Sequence, residues 1–285
     1  MPTQHSAVSR FGMVFLDGIR LLVADLPPSL FEGAASSAWA SVWFGMEEPH
    51  HSVVNGCPLP DTSVVVGPPG ARCQAFWPQQ AAPAQLAVAI SVPAARVPRS
   101  WPVDSAWFTV HRVDADVLRR LRCLVRAILR RAAEHPETLE DQVTAAALAS
   151  ALIDGANALF VGARDVVFPS VVFTRRYFDV LDQIDRFIAD RMDRPVRLEE
   201  VAEALRLAPR TVHNIMTMMR GLTLQAYVKA IKMRSARRHL LRNETCDLVK
   251  QAALALGYTH LGRFAQEYTK FFGEPPSATL ARRSR

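Results

Sequence analysis

The chain has 285 residues, enough for one or two domains that each bury a core. Its formal net charge is +7, but residues 1–174 contain 13 Lys/Arg and 15 Asp/Glu, whereas residues 209–285 contain 14 and 4. A basic half joined to a near-neutral half is typical of a polyanion-binding protein with a second function elsewhere. The four cysteines form no metal-binding spacing and no apolar run approaches 18 residues. We therefore expect a cytoplasmic protein with no metal, no cofactor and no membrane span.

Residues 1–112 are predicted to form a small antiparallel sheet or barrel. Short apolar runs at 40–46, 63–66, 72–77 and 85–92 predict strands, and Pro- and Gly-rich turns separate them. Four to seven short strands without intervening helices favour this architecture. The region has no phosphate loop, no GxSxG elbow and no HExxH motif. Its Trp and Phe side chains are more often core, but a barrel lined by them can hold a small aromatic or amphipathic molecule.

One polar cluster stands out in this half, His50-His51 beside Glu47-Glu48. Adjacent residues of a strand point to opposite faces, so the two histidines are poorly placed to bind one metal ion. A patch on a surface loop is the better interpretation.

From residue 113 the apolar period becomes helical. A stripe containing Leu118, Leu121 and Val125, with six arginines around it, predicts a helix that ends near residues 135–136. Thr138 is predicted to cap a second helix that runs to about residue 160. Together they would form a helical hairpin over residues 113–161. Its arginines would form either a solvated face or a seam against a second copy of the chain, and the sequence leaves both open. Residues 162–175 are predicted to be a linker.

The remaining residues, 176–285, contain one helical pattern twice. Apolar residues recur at i, i+3, i+4 and i+7 in four short stretches: Leu198–Leu205, Val212–Met219, Val249–Leu256 and Leu261–Tyr268. Each copy predicts two short amphipathic helices joined by a tight turn, at residues 196–220 and 247–272. Such a pair is a helix-turn-helix unit, whose second helix can enter a DNA major groove. The copies match at an offset of 51 residues before the turn and 52 after it, so the second turn is one residue longer.

Local signals predict how these helices begin and end. Pro209 suits a first helical position, and the hydroxyl of Thr259 is predicted to cap the second recognition helix. Gly221 and Gly273 follow the two recognition helices, where a left-handed residue is expected. A long helix over residues 225–241 is predicted to join the units. It has a set of basic residues predicted to be exposed: Lys229, Lys232, Arg234, Arg237 and Arg238.

Two runs in this half carry a family resemblance. They are LEEVAEALRLAPRTVHNIMTMMRGLTLQAYVKAIKMRSARRHL, starting at Leu198, and AALALGYTHLGRFAQEYTKFFGEPPSATL, starting at Ala252. They resemble the DNA-binding domain of AraC/XylS-family transcription regulators, over roughly residues 176–283. The run from His260 to Phe264, with residues 272–277, is similar to the branch with XylS-like and ethanolamine-regulator-like domains. Residues 1–174 give no comparable match.

The resemblance implies an α+β protein, with an N-terminal barrel that is cupin-like by analogy and an all-α C-terminal domain. It implies double-stranded DNA as a partner, a possible small-molecule effector, a homodimer, and contact with RNA polymerase in an activator. This sequence departs from the family pattern at Ala208, which replaces a capping Ser at a cost of roughly 1 kcal/mol. It departs also at Met216, which replaces a Phe, and at Ala252, which replaces an Ile.

Candidate DNA contacts follow from position on the recognition helices. Those of the first helix are Arg210, Thr211, His213, Asn214 and Thr217, and those of the second are His260, Gly262, Arg263, Gln266 and Lys270. Arg263 is the best candidate for reading a base, since Arg pairs bidentately with guanine, and Gly262 would allow close approach of the backbone. The candidates for phosphate contacts or plain surface charges are Arg237, Arg238, Lys250 and Arg282.

The favoured function is a ligand-responsive, sequence-specific transcription regulator. An alternative is a regulator without a small-molecule ligand, whose first half only dimerises or contacts protein. A remote alternative is an enzyme tethered to DNA. Residues 1–174 supply no nucleophile with its base, no metal set and no phosphate cradle. The chain is therefore predicted not to be an enzyme.

Overall fold

The computed structural model describes residues 10–26, 30–47, 52–76, 85–161, 166–168, 171–242 and 248–282. The chain divides into two compact units, a first unit that ends at Arg175 and a second unit that starts at Arg176. Strands and a helical hairpin build the first and helices build the second, so the α+β class is confirmed. The predicted His50-His51 loop, Trp77, Cys246 and much of the predicted linker lie outside the described residues.

The first unit contains two antiparallel sheets. The strands are β1 Arg10–Leu16, β2 Ile19–Leu26, β3 Leu30–Ala34, β4 Trp39–Gly45, β5 Val53–Val54, β6 Cys57–Pro58, β7 Ser63–Gly67, β8 Arg72–Phe76, β9 Gln85–Pro93, β10 Thr109–Arg112 and β11 Val166–Phe168. Seven form one sheet in the order β1-β2-β9-β4-β7-β10-β11, and four form the other in the order β3-β8-β5-β6. Three of the four predicted strands agree to within one residue at each end; the run at 72–77 is strand through Phe76, and Trp77 is not described.

Several strands were not predicted, and two of the missing hairpins have clear turn signals. Asp17-Gly18 joins β1 to β2, and Asn55-Gly56 joins β5 to β6, with positive φ at all four residues. Two-residue loops of this kind match the twist of a hairpin. Strand β11 lies inside residues 162–175, which were predicted to be a linker. That prediction is wrong for Val166–Phe168, because this apolar stretch pairs with β10 and forms the edge of the larger sheet.

One face of the seven-stranded sheet packs against a helical hairpin, α1 Ala115–Glu134 and α2 Gln142–Ala158. Alternate strand residues such as Leu21 and Ile90 share a buried core with Leu118 and Leu152. Asp114 caps α1 by accepting from the N–H groups of the first turn. The predicted cap of α2 is wrong: Thr138 lies in a short 3₁₀ turn, and the Asp141 carboxylate accepts from Thr144 N–H at 2.8 Å instead.

The arginines of α1 do not form one uniform surface. Arg122 Nε donates to Gly45 O at 2.8 Å and Arg126 Nη2 donates to Met46 O at 2.9 Å, so these two hold the end of β4. The solvated-face interpretation is therefore wrong for Arg122, which is buried. The apolar stripe of α1 is used by the core of its own chain. Contact of the hairpin with a second copy remains a prediction.

The second unit consists of helices α3 Val171–Ala189, α4 Leu198–Ala204, α5 Pro209–Arg220, α6 Leu224–Arg242, α7 Leu248–Ala255, α8 Leu261–Phe272 and α9 Pro276–Ala281. Helix α3 starts before the predicted residue 176 and spans the unit boundary. Helix α6 contributes Met233, Ala236 and Leu240 to a core shared with α7 and α8. None of the helices in the described part of the chain is both long and apolar enough to cross a bilayer.

Candidate functional site

The two helix-turn-helix units, α4–α5 and α7–α8, turn in the same way. Helix α4 is followed by Arg206 at φ 54° and α7 by Gly257 at φ 77°, positions related by the predicted offset of 51. The next residues close equivalent bonds, from Leu207 N–H to Ala202 O and from Tyr258 N–H to Ala253 O, each at 2.9 Å. This is the Schellman pattern of a helix that ends in a left-handed residue. Four residues separate α4 from α5 and five separate α7 from α8, as the offsets predict.

The recognition helices α5 and α8 begin without a side-chain cap. Ala208 and His260 occupy the two N-cap positions, and neither makes a capping hydrogen bond. The prediction for Thr259 is wrong because α8 starts one residue later, which leaves Thr259 outside the cap. At the other end the predictions are confirmed: Gly221 and Gly273 adopt φ 65° and 73°, and their N–H groups bond to Thr217 O and Thr269 O.

The candidate DNA contacts lie on the outward faces of these helices. The exposed candidates on α5 are Arg210, Thr211, His213 and Asn214. Those at the start of α8 and along it are His260, Gly262, Arg263, Gln266 and Lys270. Thr217 is half-buried, and its hydroxyl donates to His213 O at 2.9 Å. The opposite faces are buried through Val212 and Met216 in α5 and through Phe264 and Tyr268 in α8. Each helix can therefore present one polar face to a groove, while the individual contacts remain predictions.

Glu267 organises the second recognition helix, a role that the sequence analysis missed. Its carboxylate accepts from Tyr258 Oη at 2.9 Å and Arg263 Nε at 3.2 Å, and pairs with Lys229 Nζ at 3.2 Å. Partial burial opposes ionisation of Glu267, but these three donors outweigh it and lower its pKa. The carboxylate therefore stays charged and holds Arg263 through Nε, while the Arg263 side chain is 74% exposed. The i, i+4 spacing was the available signal.

The four predicted phosphate or surface cations differ in environment. Arg238, Lys250 and Arg282 are exposed, whereas Arg237 is half-buried and its guanidinium lies 4.6 Å from the centre of the Phe272 ring. Arg237 Nη2 pairs with Glu274 at 3.3 Å, and Arg282 pairs with the same carboxylate. Glu274 therefore offsets part of the positive charge on Arg237 and Arg282.

Lys232 was predicted to be exposed, and this prediction is wrong because Lys232 is buried. Its ammonium donates to Arg194 O at 3.0 Å and to Leu256 O at 2.9 Å. Burial lowers its pKa, against the opposing influence of the Asp193 charge. The two carbonyls belong to the loop before α4 and to the turn of the second unit. Lys232 thus ties the connecting helix α6 to the loop that precedes the first helix-turn-helix unit and to the turn of the second.

A second missed residue, Arg220, anchors the first recognition helix. Its side chain is fully buried and pairs with Asp185 of α3, Nη1 to Oδ1 at 2.8 Å and Nη2 to Oδ2 at 2.6 Å. Its guanidinium also stacks on Tyr227 of α6, 4.0 Å from the ring centre. Arg220 therefore joins three helices of the second unit.

The first unit holds a second candidate site, a cavity of about 460 Å³ between its two sheets. Of the aromatic residues predicted as core or lining, Trp39, Trp43, Phe44 and Phe108 line it, and Trp101 belongs to the core on the other side of the larger sheet. Alternation along β4 places Trp39 and Trp43 on the cavity face, and Ala40 and Val42 in the core on the other face. Elsewhere in the described ranges, no group of three His, Cys, Asp or Glu is placed to hold a metal ion.

The second unit of the chain is similar to known proteins. Residues 201–282 match a family described as a helix-turn-helix domain. The XylDLEGF operon transcriptional activator 2 of Pseudomonas putida is 33% identical over 102 residues, 35% of this chain and 64% of that protein. A further XylDLEGF operon transcriptional activator of that organism is 34% identical over 101 residues, 35% of this chain and 31% of that protein. The chain thus spans less than two thirds of either relative.

The chain is also similar in sequence to a protein of solved structure. A probable AraC family transcriptional regulator from Rhodopseudomonas palustris is 30% identical, with 37% of this chain covering 97% of that one at a TM-score of 0.34. The matched residues are those with the duplicated turn, the two left-handed C-caps and the outward polar helix faces. By its C-terminal domain, the chain belongs to the AraC/XylS family.

Proposed function

We propose that the chain is a transcription regulator that binds double-stranded DNA by placing α5 and α8 in adjacent major-groove turns. The observation that carries the proposal is the duplicated helix-turn-helix geometry, with both recognition helices presenting exposed polar faces. Lys232 of α6 bonds to the loop before α4 and to the turn between α7 and α8, which supports the presentation of both helices by one protein molecule. Recognition helices about 34 Å apart along the duplex would meet the same face of DNA.

Charge supports the same partner. Residues 209–285 contain 14 Lys/Arg and 4 Asp/Glu, and neutralising phosphates releases counterions from DNA. The logarithm of the association constant should therefore fall linearly with the logarithm of salt concentration, by about 0.9 per phosphate contacted.

The cavity of the first unit supports the ligand-responsive form of the proposal. Its size and its mainly apolar lining suit a small molecule better than a surface for protein contact. We further propose that the regulator acts as a homodimer and contacts RNA polymerase, as the family resemblance implies.

The test of the DNA proposal is selection of bound fragments from the source genome by the full-length protein, followed by affinity measurements on a selected site and on random DNA. Arg263→Ala should weaken binding to the selected site by about 1–3 kcal/mol, because it removes a bidentate base contact. Binding to random DNA should change much less. Arg238→Ala is the matched control, an exposed cation expected to weaken both by a similar factor.

Two results would contradict the proposal. Failure to enrich any fragment would remove sequence-specific binding altogether. Equal losses on selected and random DNA for Arg263→Ala would leave DNA binding in place but end the base-reading role of Arg263.

A further inference from the structure

We propose that Glu267 is a positioning residue that makes Arg263 selective for guanine, a selectivity that the equivalent residues of α5 cannot provide. The inference deepens the proposed function and rests on it, since it takes α8 to read bases in the major groove. Glu267 would contribute to sequence specificity through Arg263, without contact of its own with a base.

Arg263 and Glu267 lie one turn apart on α8. Arg263 Nε donates to Glu267 Oε1 at 3.2 Å, so this hydrogen bond leaves the terminal nitrogens Nη1 and Nη2 for another acceptor. The Arg263 side chain is 74% exposed and is therefore open to a partner in the groove. Two terminal nitrogens match O6 and N7 of guanine, whereas adenine presents a donor in place of O6.

The other oxygen of the Glu267 carboxylate is fixed by residues outside α8. Glu267 Oε2 accepts from Tyr258 Oη at 2.9 Å and pairs with Lys229 Nζ at 3.2 Å. The Tyr258 ring packs edge-on against the buried Phe264, with ring centres 5.3 Å apart. Burial and the hydrogen bond to Glu267 raise the pKa of Tyr258, so its hydroxyl keeps its proton and donates. Oε2 is thus held by the turn before α8 and by α6, while Oε1 orients Arg263.

The position of Glu267 favours action through Arg263 over direct reading of a base. A carboxylate can accept from cytosine N4, but this one already has three donors and its side chain is 20% exposed. An exposed ion pair of this spacing contributes little to folding stability. Its effect on recognition has another origin: an unrestrained arginine loses conformational entropy when it binds a base, and Glu267 restricts Arg263 beforehand.

The first recognition helix has different residues at the equivalent positions. Thr211 and Ile215 of α5 lie 52 residues before Arg263 and Glu267. Thr211 is exposed and Ile215 is buried. A threonine hydroxyl both donates and accepts, so it discriminates among bases less than a bidentate arginine does. The strictest guanine preference is therefore expected in the part of the DNA site that α8 contacts.

The experiment measures base discrimination by the full-length protein on a fragment that it enriches from the source genome. Each G·C pair of the bound site is replaced in turn by A·T, and the ratio of the two affinities is determined. The guanine that Arg263 reads is the one at which Arg263→Ala lowers this ratio. There Glu267→Ala should lower the ratio about three- to tenfold, because the freed Arg263 must be ordered on binding. The ratio is the measure, since loss of a negative charge strengthens binding to every DNA.

Further variants separate positioning from folding and from charge. Glu267→Met, which keeps the length of the side chain but no acceptor, should match Glu267→Ala, and Glu267→Gln should recover part of the lost ratio. Glu203→Ala, which removes an exposed carboxylate from α4, should leave the ratio unchanged. Tyr258→Phe removes one hydrogen bond of Glu267 but keeps its bond to Arg263, so most of the ratio should be retained. In the Arg263→Ala background, Glu267→Ala should have no further effect on the ratio.

The outcomes distinguish failure of this inference from failure of the proposed function. Wild-type ratios in Glu267→Ala or Glu267→Met would overturn the positioning role, while sequence-specific DNA binding would stand. A further loss of discrimination in the double variant would also overturn it, because Glu267 would then act on the base without Arg263. If the wild-type protein enriches no fragment, the proposed function fails and this inference fails with it.

Discussion

The first recognition helix, α5, ends at Arg220, whose fully buried guanidinium pairs with Asp185 of α3. At the equivalent position, 52 residues later, the second recognition helix ends at Phe272, which packs against Tyr268 with ring centres 4.6 Å apart. Glu267, which organises α8, corresponds in the same way to the buried apolar Ile215. At these two equivalent positions, α5 and α8 have therefore exchanged a charged residue and an apolar one.

This exchange teaches that one backbone geometry can be held by different chemistry. The second helix-turn-helix unit relies on an aromatic cluster of Tyr258, Phe264, Tyr268 and Phe272, together with the partly exposed hydrogen bonds of the Glu267 carboxylate. The first helix-turn-helix unit relies on one buried ion pair, whose Asp185 lies outside it on α3. Aromatic packing is spread over many contacts, whereas an ion pair fails when one partner is removed.

The largest effect is expected from Asp185→Ala. The change removes the carboxylate that compensates the buried Arg220, and breaking a buried pair in this way costs about 3–5 kcal/mol. Because Asp185 is 31% exposed, we expect about 3 kcal/mol. Unfolding of the second unit should be followed by helical circular dichroism. All five Trp residues lie in the first 107 residues, so their fluorescence reports the first unit and should not change.

The control for this prediction is Asp179→Ala, an exposed carboxylate on the same helix. It should change stability by less than about 0.5 kcal/mol. Hydrogen exchange should show faster opening of α5 than of α8 in Asp185→Ala. Equally faster exchange in α5 and α8 would mean that the ion pair stabilises the whole C-terminal helical unit rather than the first recognition helix alone.

The second prediction concerns the left-handed residue of each turn. In Gly257→Ala the new Cβ would lie 2.2 Å from Asp193 O, at φ 77°, so both a clash and backbone strain destabilise the fold. We expect a loss of at least about 2 kcal/mol, since strain alone costs about 1–2. Gly273→Ala is the matched control: its φ is 73° but the Cβ would meet nothing within 4 Å, so only the strain remains. Chemical denaturation that gave equal losses would exclude the clash.

In the first helix-turn-helix unit, the position equivalent to Gly257 is Arg206. It adopts a left-handed conformation at φ 54° although it is not glycine. Arg206→Gly relieves strain but adds freedom to the unfolded chain, and these effects oppose one another. We expect a net gain below about 1 kcal/mol in the same denaturation assay. A clear loss would show that the Arg206 side chain makes a stabilising contribution of its own.

The third prediction tests the hydrogen bonds by which Lys232 connects α6 to the turn of the second helix-turn-helix unit and to the loop before the first. Lys232→Met removes a donor from two carbonyls, Arg194 O and Leu256 O, while keeping an unbranched side chain. Acceptors that lose their partner in a buried site cost about 1–3 kcal/mol, and relief of the buried charge offsets part of this, so we expect about 1–2. Arg234→Met, exposed on the same helix, should be nearly neutral. Thermal unfolding distinguishes the variants, and a Lys232→Met protein as stable as the control would contradict the connecting role.

Much of the second unit could be predicted because its signals are local. Period-3.6 apolar residues, Pro209 and the two C-cap glycines predict helices and their ends without knowledge of tertiary contacts. The outward faces follow directly from the same periodicity. Lys232 and Arg220 could not be predicted in this way, because both look like surface cations in a helix, and their partners are 38 and 35 residues away.

The first unit shows a different limit. Strands β4, β7 and β9 are apolar runs between turns and were predicted, whereas β1 is almost continuously apolar with a glycine inside it and was not. The Asp-Gly and Asn-Gly turns were available as signals for two hairpins. The position of Trp39 and Trp43 at the cavity depends on which strand face meets the second sheet, which periodicity alone does not decide.

A small gain in stability is expected from restoring a cap to the first recognition helix. The first turn of α5 has no side-chain cap. In Ala208→Ser the new hydroxyl can accept from a free N–H of this turn, which should raise the free energy of unfolding by about 1 kcal/mol. The backbone of Ala208 is already extended, at φ −68° and ψ 142°, as an N-cap requires. Ala204→Ser, at the exposed last residue of α4, is the control and should be neutral or slightly destabilising. Denaturant midpoints measure both, and no gain for Ala208→Ser would mean that the N–H groups of this turn are already satisfied by solvent.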